Sequence, residues 1–596
     1  MNEYTAPTRD MGFLIREVLD LEAIAALPGF EEASPDVVTA VLDEAGRFAG
    51  GVLAPINPVG DSQGAVLQEG RVRVPEGFAS AYREFVDGGW NGVSASPEYG
   101  GMGLPELVAT ATQEMWQSAC FAFALCPMLT AGAIEAVSRH GSPEQKARYL
   151  EKMVTGQWTG TMDLTEPQAG SDLAAIRTRA VPEGDHYRLF GQKIYITYGE
   201  HEMTENIVHH VLARTPDAPP GVKGISLFIV PKYLPNDDGT PGERNDMHCA
   251  SLEHKLGIHA SPTCAMIYGD SDGAVGYLIG EEGRGLEYMF TMMNEARHKV
   301  GVQGLSIAER AYQQALAYAR ERVQGRPVGR SREEGAAIIE HPDVRRMLLS
   351  MKARTEAMRA LCYVAAAEMD RARRQPADDA RKAAQSRVDL LIPVVKAWCT
   401  ELGVDVASMG IQVHGGMGYI EETGAAQHLR DARIAPIYEG TNGIQANDLV
   451  GRKVLRDGGR AVAELVADMG ATAEALNAAK SDAVRRIEAP LREGIQCLQS
   501  ATDWVLSQAE APEHAMANSM NYLMLAGYVT GGWMMARSAL AAQEALDTGA
   551  ADPAFYQAKL VTAGYYADQI LPGAVSLARA VTAGAEPILA MPAEQF

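Results

Sequence analysis

The spacing of apolar residues changes twice along this chain, and these changes restrict the fold more than any other feature. Up to about residue 160, apolar side chains recur every three or four positions in segments such as 35–48 and 105–121, which predicts amphipathic helices. Between about 160 and 282, short runs rich in β-branched and aromatic residues, such as 225–230, alternate with turn clusters and predict β-strands. Helical spacing returns from residue 286 in long segments without internal proline, such as 344–374. The chain therefore predicts a β domain between two helical regions.

A glycine-containing break divides the second helical region. Arg456-Asp457-Gly458-Gly459 precedes further Ala-rich amphipathic segments that continue to the C-terminus. We therefore predict four regions, at 1–160, 161–282, 283–455 and 456–596. This order alone is compatible with many functions.

Composition excludes several functional classes. The formal net charge is −23, which would repel nucleic acid and anionic lipid. The seven cysteines are scattered, with no pair at CxxC spacing, and indicate core thiols in a reducing compartment. There is no HExxH or paired-cysteine pattern, so no metal site is expected, and no GxGxxG follows a strand, which argues against a Rossmann dinucleotide site.

Two segments bear on the location of the protein. The first residues lack a basic run followed by an apolar core, so no signal peptide is expected and we predict a cytoplasmic protein. Residues 514–535 contain no Lys, Arg, Asp or Glu, but their Asn, Ser, Thr and paired Gly residues leave them less apolar than a spanning helix. We predict a buried helix of a bundle there.

Three motifs carry a resemblance to a known family. They are LTEPQAGSD at 164–172, QVHGGMGY at 412–419 and IYEGTNGIQ at 437–445. They resemble the TEP-x-x-GSD, Q-x-x-GG-x-G and IYEGT-x-x-IQ signatures of acyl-CoA dehydrogenases, in the same order, and the resemblance extends over roughly residues 40 to 450. It implies an α+β acyl-CoA dehydrogenase fold with an N-terminal helical domain, a central β-barrel-like domain and a four-helix bundle. Residues 456–596 would form an extra helical module.

The resemblance implies FAD-dependent α,β-dehydrogenation of an acyl-CoA thioester to the trans-2-enoyl-CoA. Glu439 matches the base that removes the α-proton, and the β-hydrogen would leave as hydride to flavin N5. A carbon acid next to a thioester is weak, so the base must be positioned and partly desolvated, which raises its pKa and its basicity together. In the family, the backbone N–H of this Glu and a ribityl hydroxyl of FAD hold the thioester oxygen.

One branch of the family carries its base elsewhere, on the helix that follows the β domain. The matching position here is Ala296, which cannot act as a base. Glu295 is adjacent, but one residue along a helix is a rotation of about 100°, so its side chain should point away. The comparison of the two positions favours Glu439.

The resemblance also implies the cofactor-binding residues. They are Leu164, Thr165, Gly170, Ser171, Tyr195, Thr197, Arg322, Gln412, Gly416 and Thr441. Arg322, Gln412 and Gly416 match positions that reach the FAD of a neighbouring subunit, which implies a homodimer. Two departures weaken the match: Tyr195 stands where many members have Trp, and Gly325 replaces a Phe on the adenine side.

Arg297 lies where the family has an arginine that contacts CoA, and the acidic chain makes such a local cation necessary. The expected substrate-binding residues are Ser171, Asn294, Arg297, Tyr438 and Gly440. The expected electron acceptor is an electron-transfer flavoprotein.

The opening residues 4–13 (YTAPTRDMGF) and the C-terminal module resemble the large bacterial members of the family. This makes 3-(methylthio)propanoyl-CoA the first-choice substrate and a medium- or long-chain fatty acyl-CoA the second. Two further alternatives stay open: an acyl-CoA oxidase that passes electrons to oxygen, and a non-catalytic scaffold on the same fold.

Overall fold

The structure is a computed structural model that describes residues 3–329 and 335–596. Its contacts divide the chain into two compact units. The first, here called the helical unit, contains Met1–Gly46, Pro105–Ser118 and Arg297–Phe596. The second, called the mixed unit, contains Arg47–Leu104 and Ala119–Ala296.

The mixed unit contains the predicted β region. Its strands are β1 Val66–Gln68, β2 Arg71–Arg73, β3 Trp158–Asp163, β4 Arg179–Glu183, β5 His186–Thr197, β6 Asn206–Ala213, β7 Ser226–Pro231, β8 Tyr233–Pro235, β9 Pro241–Arg244, β10 Met247–Leu252, β11 Thr263–Tyr268 and β12 Ala274–Leu278. The main sheet has the order β10-β11-β5-β12-β7-β6-β3, with β4 also paired to β5. Only the β3–β6 pair within it is parallel, among the strands that the structure describes.

Strand β5 organises this sheet because it is long enough to pair along both halves. Residues 186–190 pair with β4 and β12, and residues 191–197 pair with β11. The apolar side chains of these strands form one core, which includes Leu189, Ile196, Phe228 and Met266. The prediction of a β domain between helical regions is confirmed, although a short β1–β2 hairpin also lies before residue 160.

The other regular elements of the described residues are helices. The α-helices are Thr8–Phe13, Leu21–Ala25, Pro35–Phe48, Ala54–Gln63, Phe78–Asp87, Glu106–Ala119, Phe121–His140, Pro143–Val154, Gly285–Glu321, Pro342–Arg374, Asp378–His414, Ala425–Ala432, Asn442–Asp448, Arg460–Ala478, Asp482–Arg485, Glu488–Ser507, Pro512–Ala517, Ser519–Asp547, Pro553–Tyr565, Gly573–Thr582 and Glu586–Leu589. The single helix predicted over 105–121 was wrong at its end. Cys120 adopts an extended conformation with φ −150° and separates two helices without a proline or glycine to signal it.

Helix Phe121–His140 is the described helix that is long and apolar enough to cross a membrane, and 83% of its most apolar window is buried inside the protein. Such burial is what a core helix shows. Helix Ser519–Asp547, which covers most of the uncharged segment, is also largely buried, so the prediction of a buried bundle helix is confirmed.

The C-terminal module packs within the helical unit through helix Ser519–Asp547. This helix lies against Pro342–Arg374 and Asp378–His414. Gly527 and Gly531 lie against the Trp398 ring, so closely that a Cβ at Gly527 would come within 2.2 Å of it. Glycine is therefore required for this helix to approach the bundle.

Candidate active site

The loop that carries the predicted base has an unusual backbone. Glu439 has φ +56° and Gly440 has φ +79°. A left-handed conformation at a non-glycine residue costs on the order of 1–3 kcal/mol and is typical of functional sites. The loop is closed by the Asn442 N–H, which donates to Pro436 O at 3.0 Å, and Gln445 Nε2 donates to Glu439 O at 3.2 Å. These bonds stabilise the strained turn.

Two cations act on the Glu439 carboxyl. Burial raises its pKa, and the charges of Arg297 and Lys396 oppose that rise. Arg297 is 5% exposed, and its Nη1 lies 3.7 Å from Asp448 Oδ2. The structure therefore places Arg297 in the electrostatic environment of the predicted base; its predicted contact with CoA stays a prediction.

Asn442 anchors the loop to helix Asp378–His414. Its side chain accepts from Lys396 Nζ at 2.8 Å and donates to Glu401 Oε1 at 2.8 Å and Thr400 Oγ1 at 3.0 Å. Sequence reasoning missed Asn442 and Lys396, because their partners lie more than 40 positions away. The only available signal was a lysine in an otherwise apolar run, residues 390–399.

The neighbouring loop residues are also fixed. The Tyr438 hydroxyl donates to Gln303 Oε1, and burial, followed by the charge of Glu439, raises the Tyr438 pKa above its usual range. Thr441 is the N-cap of helix Asn442–Asp448, since its Oγ1 accepts from the Ile444 N–H at 3.3 Å. Tyr438, Glu439, Gly440 and Thr441 are thus brought together in one rigid turn.

The rival base position lies in the mixed unit. Ala296 is buried, and Glu295 beside it is buried as well. Asn294, predicted to bind substrate, is partly exposed on the same helix, Gly285–Glu321.

Four predicted flavin contacts come together in the mixed unit. Lys193 Nζ donates to Leu164 O at 2.9 Å, and the Ile194 N–H donates to Thr165 O at 2.9 Å. The segment that starts the first motif therefore lies along strand β5, next to Tyr195 and Thr197. Tyr195 has φ +61° and is 59% exposed, so much of this residue is accessible.

A buried ion pair holds this arrangement, and sequence reasoning missed it. Glu166 Oε1 accepts from Lys193 Nζ at 2.8 Å, from Thr178 Oγ1 at 2.6 Å and from the Thr178 N–H at 3.1 Å. Lys193 and these hydrogen bonds outweigh burial and lower the pKa of Glu166 to about 2. The carboxylate of the TEP motif thus fixes the backbone of Leu164 through Lys193.

The features of this surface fit a flat, polar cofactor such as FAD. The exposed Tyr195 ring offers a stacking face, and the partly exposed Thr165 and Thr197 carry hydroxyls. Gly170 and Ser171 are exposed, and a Cβ built at Gly170 would meet nothing within 4 Å. The glycine here leaves room for a ligand rather than relieving a clash in the chain.

Arg322, Gln412 and Gly416 are exposed in the helical unit. The Tyr318 ring, one turn before Arg322, stacks on His414 with centroids 4.5 Å apart, which brings the end of helix Gly285–Glu321 next to the 412–416 segment. The adjacent surface is apolar and exposed, since Tyr419 is 85% and Met417 50% accessible.

Replacing Gly440 with Ala tests the geometry of the turn. The added Cβ would lie 2.7 Å from Gln445 Nε2, and φ +79° is unfavourable for alanine. We expect flavin reduction by substrate to slow about 10²-fold, because a misplacement of about 1 Å has effects of this size. Stopped-flow absorbance measures this rate. Gly443→Ala is the control, because the φ of Gly443 is ordinary and the nearest atom to an added Cβ, Thr441 Oγ1, is 3.8 Å away. Equal losses of flavin-reduction rate in both variants would contradict the expectation.

Comparison with protein families matches four models to successive parts of the chain. They are the N-terminal domain of acyl-CoA dehydrogenase at 39–157, its middle domain at 161–271, its C-terminal domain at 283–455, and an acetyl-CoA dehydrogenase C-terminal-like domain at 465–592.

Individual proteins are similar over nearly the whole length. A 3-methylmercaptopropionyl-CoA dehydrogenase of Ruegeria pomeroyi is 52% identical over 95% of this chain and 96% of its own. A butyryl-CoA dehydrogenase of Syntrophomonas wolfei is 34% identical over 100% and 99% of the two chains. An acyl-CoA dehydrogenase of Bacillus anthracis, solved in complex with FAD, has a TM-score of 0.74 and 22% identity, and the match covers 96% of this chain and 91% of that one.

Proposed function

Because this chain belongs to the acyl-CoA dehydrogenase family, we propose that it oxidises 3-(methylthio)propanoyl-CoA to the trans-2-enoyl thioester. FAD-dependent α,β-dehydrogenation of an acyl-CoA is the reaction of the family, and FAD is its cofactor. The choice of acyl group is supported by 52% identity to the Ruegeria enzyme of that substrate.

Glu439 is the proposed base. Its carboxylate removes the α-proton of the thioester, and the rigid turn from Tyr438 to Thr441 fixes the direction of attack. Arg297 and Lys396 favour the ionised form of the carboxyl while burial increases its basicity. Bound FAD supplies the acceptor for the hydride that leaves the β-carbon. The observation that carries this assignment is the left-handed Glu439–Gly440 turn in a half-buried cationic environment.

The residues proposed to hold FAD belong to two groups. In the mixed unit they are Leu164, Thr165, Gly170, Ser171, Tyr195 and Thr197, and in the helical unit Arg322, Gln412, Gly416 and Thr441. We also propose that Ser171, Asn294, Arg297, Tyr438 and Gly440 contact the acyl-CoA.

We propose a homodimer in which Arg322, Gln412 and Gly416 reach the FAD of the partner. The exposed apolar Met417 and Tyr419 beside these residues support this assembly. An electron-transfer flavoprotein is the proposed acceptor, and the cytoplasm the proposed location.

A matched acyl-CoA panel tests the substrate. Pentanoyl-CoA replaces the sulfur of 3-(methylthio)propanoyl-CoA with a methylene and has the same chain length, while butyryl-CoA is shorter. We expect the methylthio compound to reduce the flavin with a kcat/KM at least about tenfold higher than pentanoyl-CoA, a difference of about 1.4 kcal/mol. Faster reduction by pentanoyl-CoA or by longer chains would instead support the second candidate, a straight-chain dehydrogenase, which the similarity to the butyryl-CoA enzyme favours.

The same experiment separates a dehydrogenase from an oxidase. After anaerobic reduction by substrate, admission of air should reoxidise the flavin slowly. Rapid reoxidation with stoichiometric peroxide would contradict the proposal.

A further inference from the structure

Lys396 is a buried charge that lies outside the three family motifs. Its side chain has no exposed surface in helix Asp378–His414, and Trp398 and Cys399 nearby are equally buried. In residues 3–329 and 335–596 it forms no salt bridge, and its hydrogen bond goes to the neutral Asn442 Oδ1 at 2.8 Å. Burying an ammonium without a carboxylate partner is costly, so another requirement must keep it here.

The position of Lys396 relates it to the proposed base. Asn442, its hydrogen-bond partner, lies three residues after Glu439, and the Asn442 N–H closes the same loop on Pro436 O. The Lys396 charge also acts electrostatically on the Glu439 carboxyl. Lys396 therefore acts on Glu439 in two ways, through the loop and through its field.

We propose that Lys396 is a positioning residue whose positive charge keeps Glu439 in its carboxylate form, while its hydrogen bond to Asn442 fixes the loop that carries the base. This inference rests on the proposed function, since it assumes that Glu439 is the base. It does not depend on which acyl group is oxidised.

The electrostatics give the pH range in which this charge acts. Burial lowers the pKa of Lys396 to about 7, although Glu439 and Glu401 favour its charged form, and Arg297 opposes it. Below about pH 7 Lys396 is therefore charged, and its charge there opposes the rise that burial causes in the pKa of Glu439. Other charged or titratable groups around the pair are Tyr438, on which the charge of Glu439 acts, and Asp448 and Arg452, which act on Arg297.

Two variants remove the charge in different ways. Both side chains are one atom shorter than lysine; Lys396→Met is apolar, whereas Lys396→Gln keeps a hydrogen-bond donor. Without the cation, the pKa of Glu439 rises. In a plot of flavin-reduction rate against pH, the acid limb therefore moves to higher pH by about one unit. The rate on that limb then falls about tenfold. At high pH, where Lys396 of the wild type is neutral, Lys396→Gln approaches the wild-type rate, whereas Lys396→Met stays below it because it lacks the donor to Asn442.

The measurement uses the FAD-loaded enzyme and the acyl-CoA that reduces the flavin of the wild type fastest. An error in the proposed substrate is therefore detected by the acyl-CoA panel and does not affect this test. A second readout needs no turnover. The protonated carboxyl of Glu439 has an infrared band, which is identified by its absence in Glu439→Gln, and the pH dependence of this band is measured without substrate. It should appear at higher pH in both Lys396 variants. Lys453→Met is the matched control, because Lys453 lies 3.3 Å from Asp389 in a salt bridge of its own.

The proposal would be overturned if, in Lys396→Gln, the acid limb and the infrared titration both had the same midpoint pH as in the wild type. This would hold even if the rate fell equally at all pH values. If Lys396→Met does not fold, Lys396→Gln still decides the question. If Glu439→Gln retains activity, the proposed base itself is wrong, which is a different outcome from an unmoved limb.

Discussion

Replacing Glu439 with Gln leaves the protein folded and able to bind FAD, but the rate at which acyl-CoA reduces the flavin falls by about 10²–10⁴-fold or more. Gln has nearly the same shape as Glu and can keep the left-handed turn, in which Gln445 donates to the main-chain carbonyl rather than to the side chain. The substitution therefore removes the proton acceptor and little else. Anaerobic stopped-flow measurement of flavin bleaching gives the rate.

The control is Glu421→Gln in the same unit, since the Glu421 side chain is 66% exposed and pairs with Arg430 at the surface. This variant should reduce its flavin at the wild-type rate. Reduction of Glu439→Gln at a rate close to that of the wild type would show that another group removes the proton.

The second large effect concerns stability. Arg359 is buried between two carboxylates on different helices: its Nη2 lies 2.7 Å from Glu114 Oε1 and 2.6 Å from Glu309 Oε2. The Tyr363 hydroxyl also donates to Glu114 Oε2 at 2.7 Å. Arg359→Met removes the only cation in this described group and leaves two buried acids, which we expect to destabilise the protein by about 3–5 kcal/mol. Urea unfolding followed by circular dichroism measures the change.

Arg346→Met is the matched control on the same helix, because Arg346 is 54% exposed and pairs only with Asp343 among the described residues. It should change the free energy of unfolding by no more than about 0.5 kcal/mol. An equally mild effect of Arg359→Met would contradict this expectation.

Much of the secondary structure could be predicted from local pattern. Helix Pro35–Phe48 begins and ends at the predicted residues, and the strands of the main sheet lie in the β-rich region. Periodicity failed at Cys120, where the backbone becomes extended without a breaker residue. It also missed the β1–β2 hairpin, because strands of three residues are too short to show a period.

The sequence by itself determined the family, the reaction and the predicted base, because Glu439 lies in a motif whose residues are adjacent in the chain. Only the tertiary structure showed what acts on that base: Lys396 and Arg297 come from two other helices, and Asn442 connects the loop to the first of these cations. The reason is physical. A hydrogen bond or a charge acts over a few ångströms in space, and the residues that meet here are separated by 43 or more positions, so no local pattern records their contact.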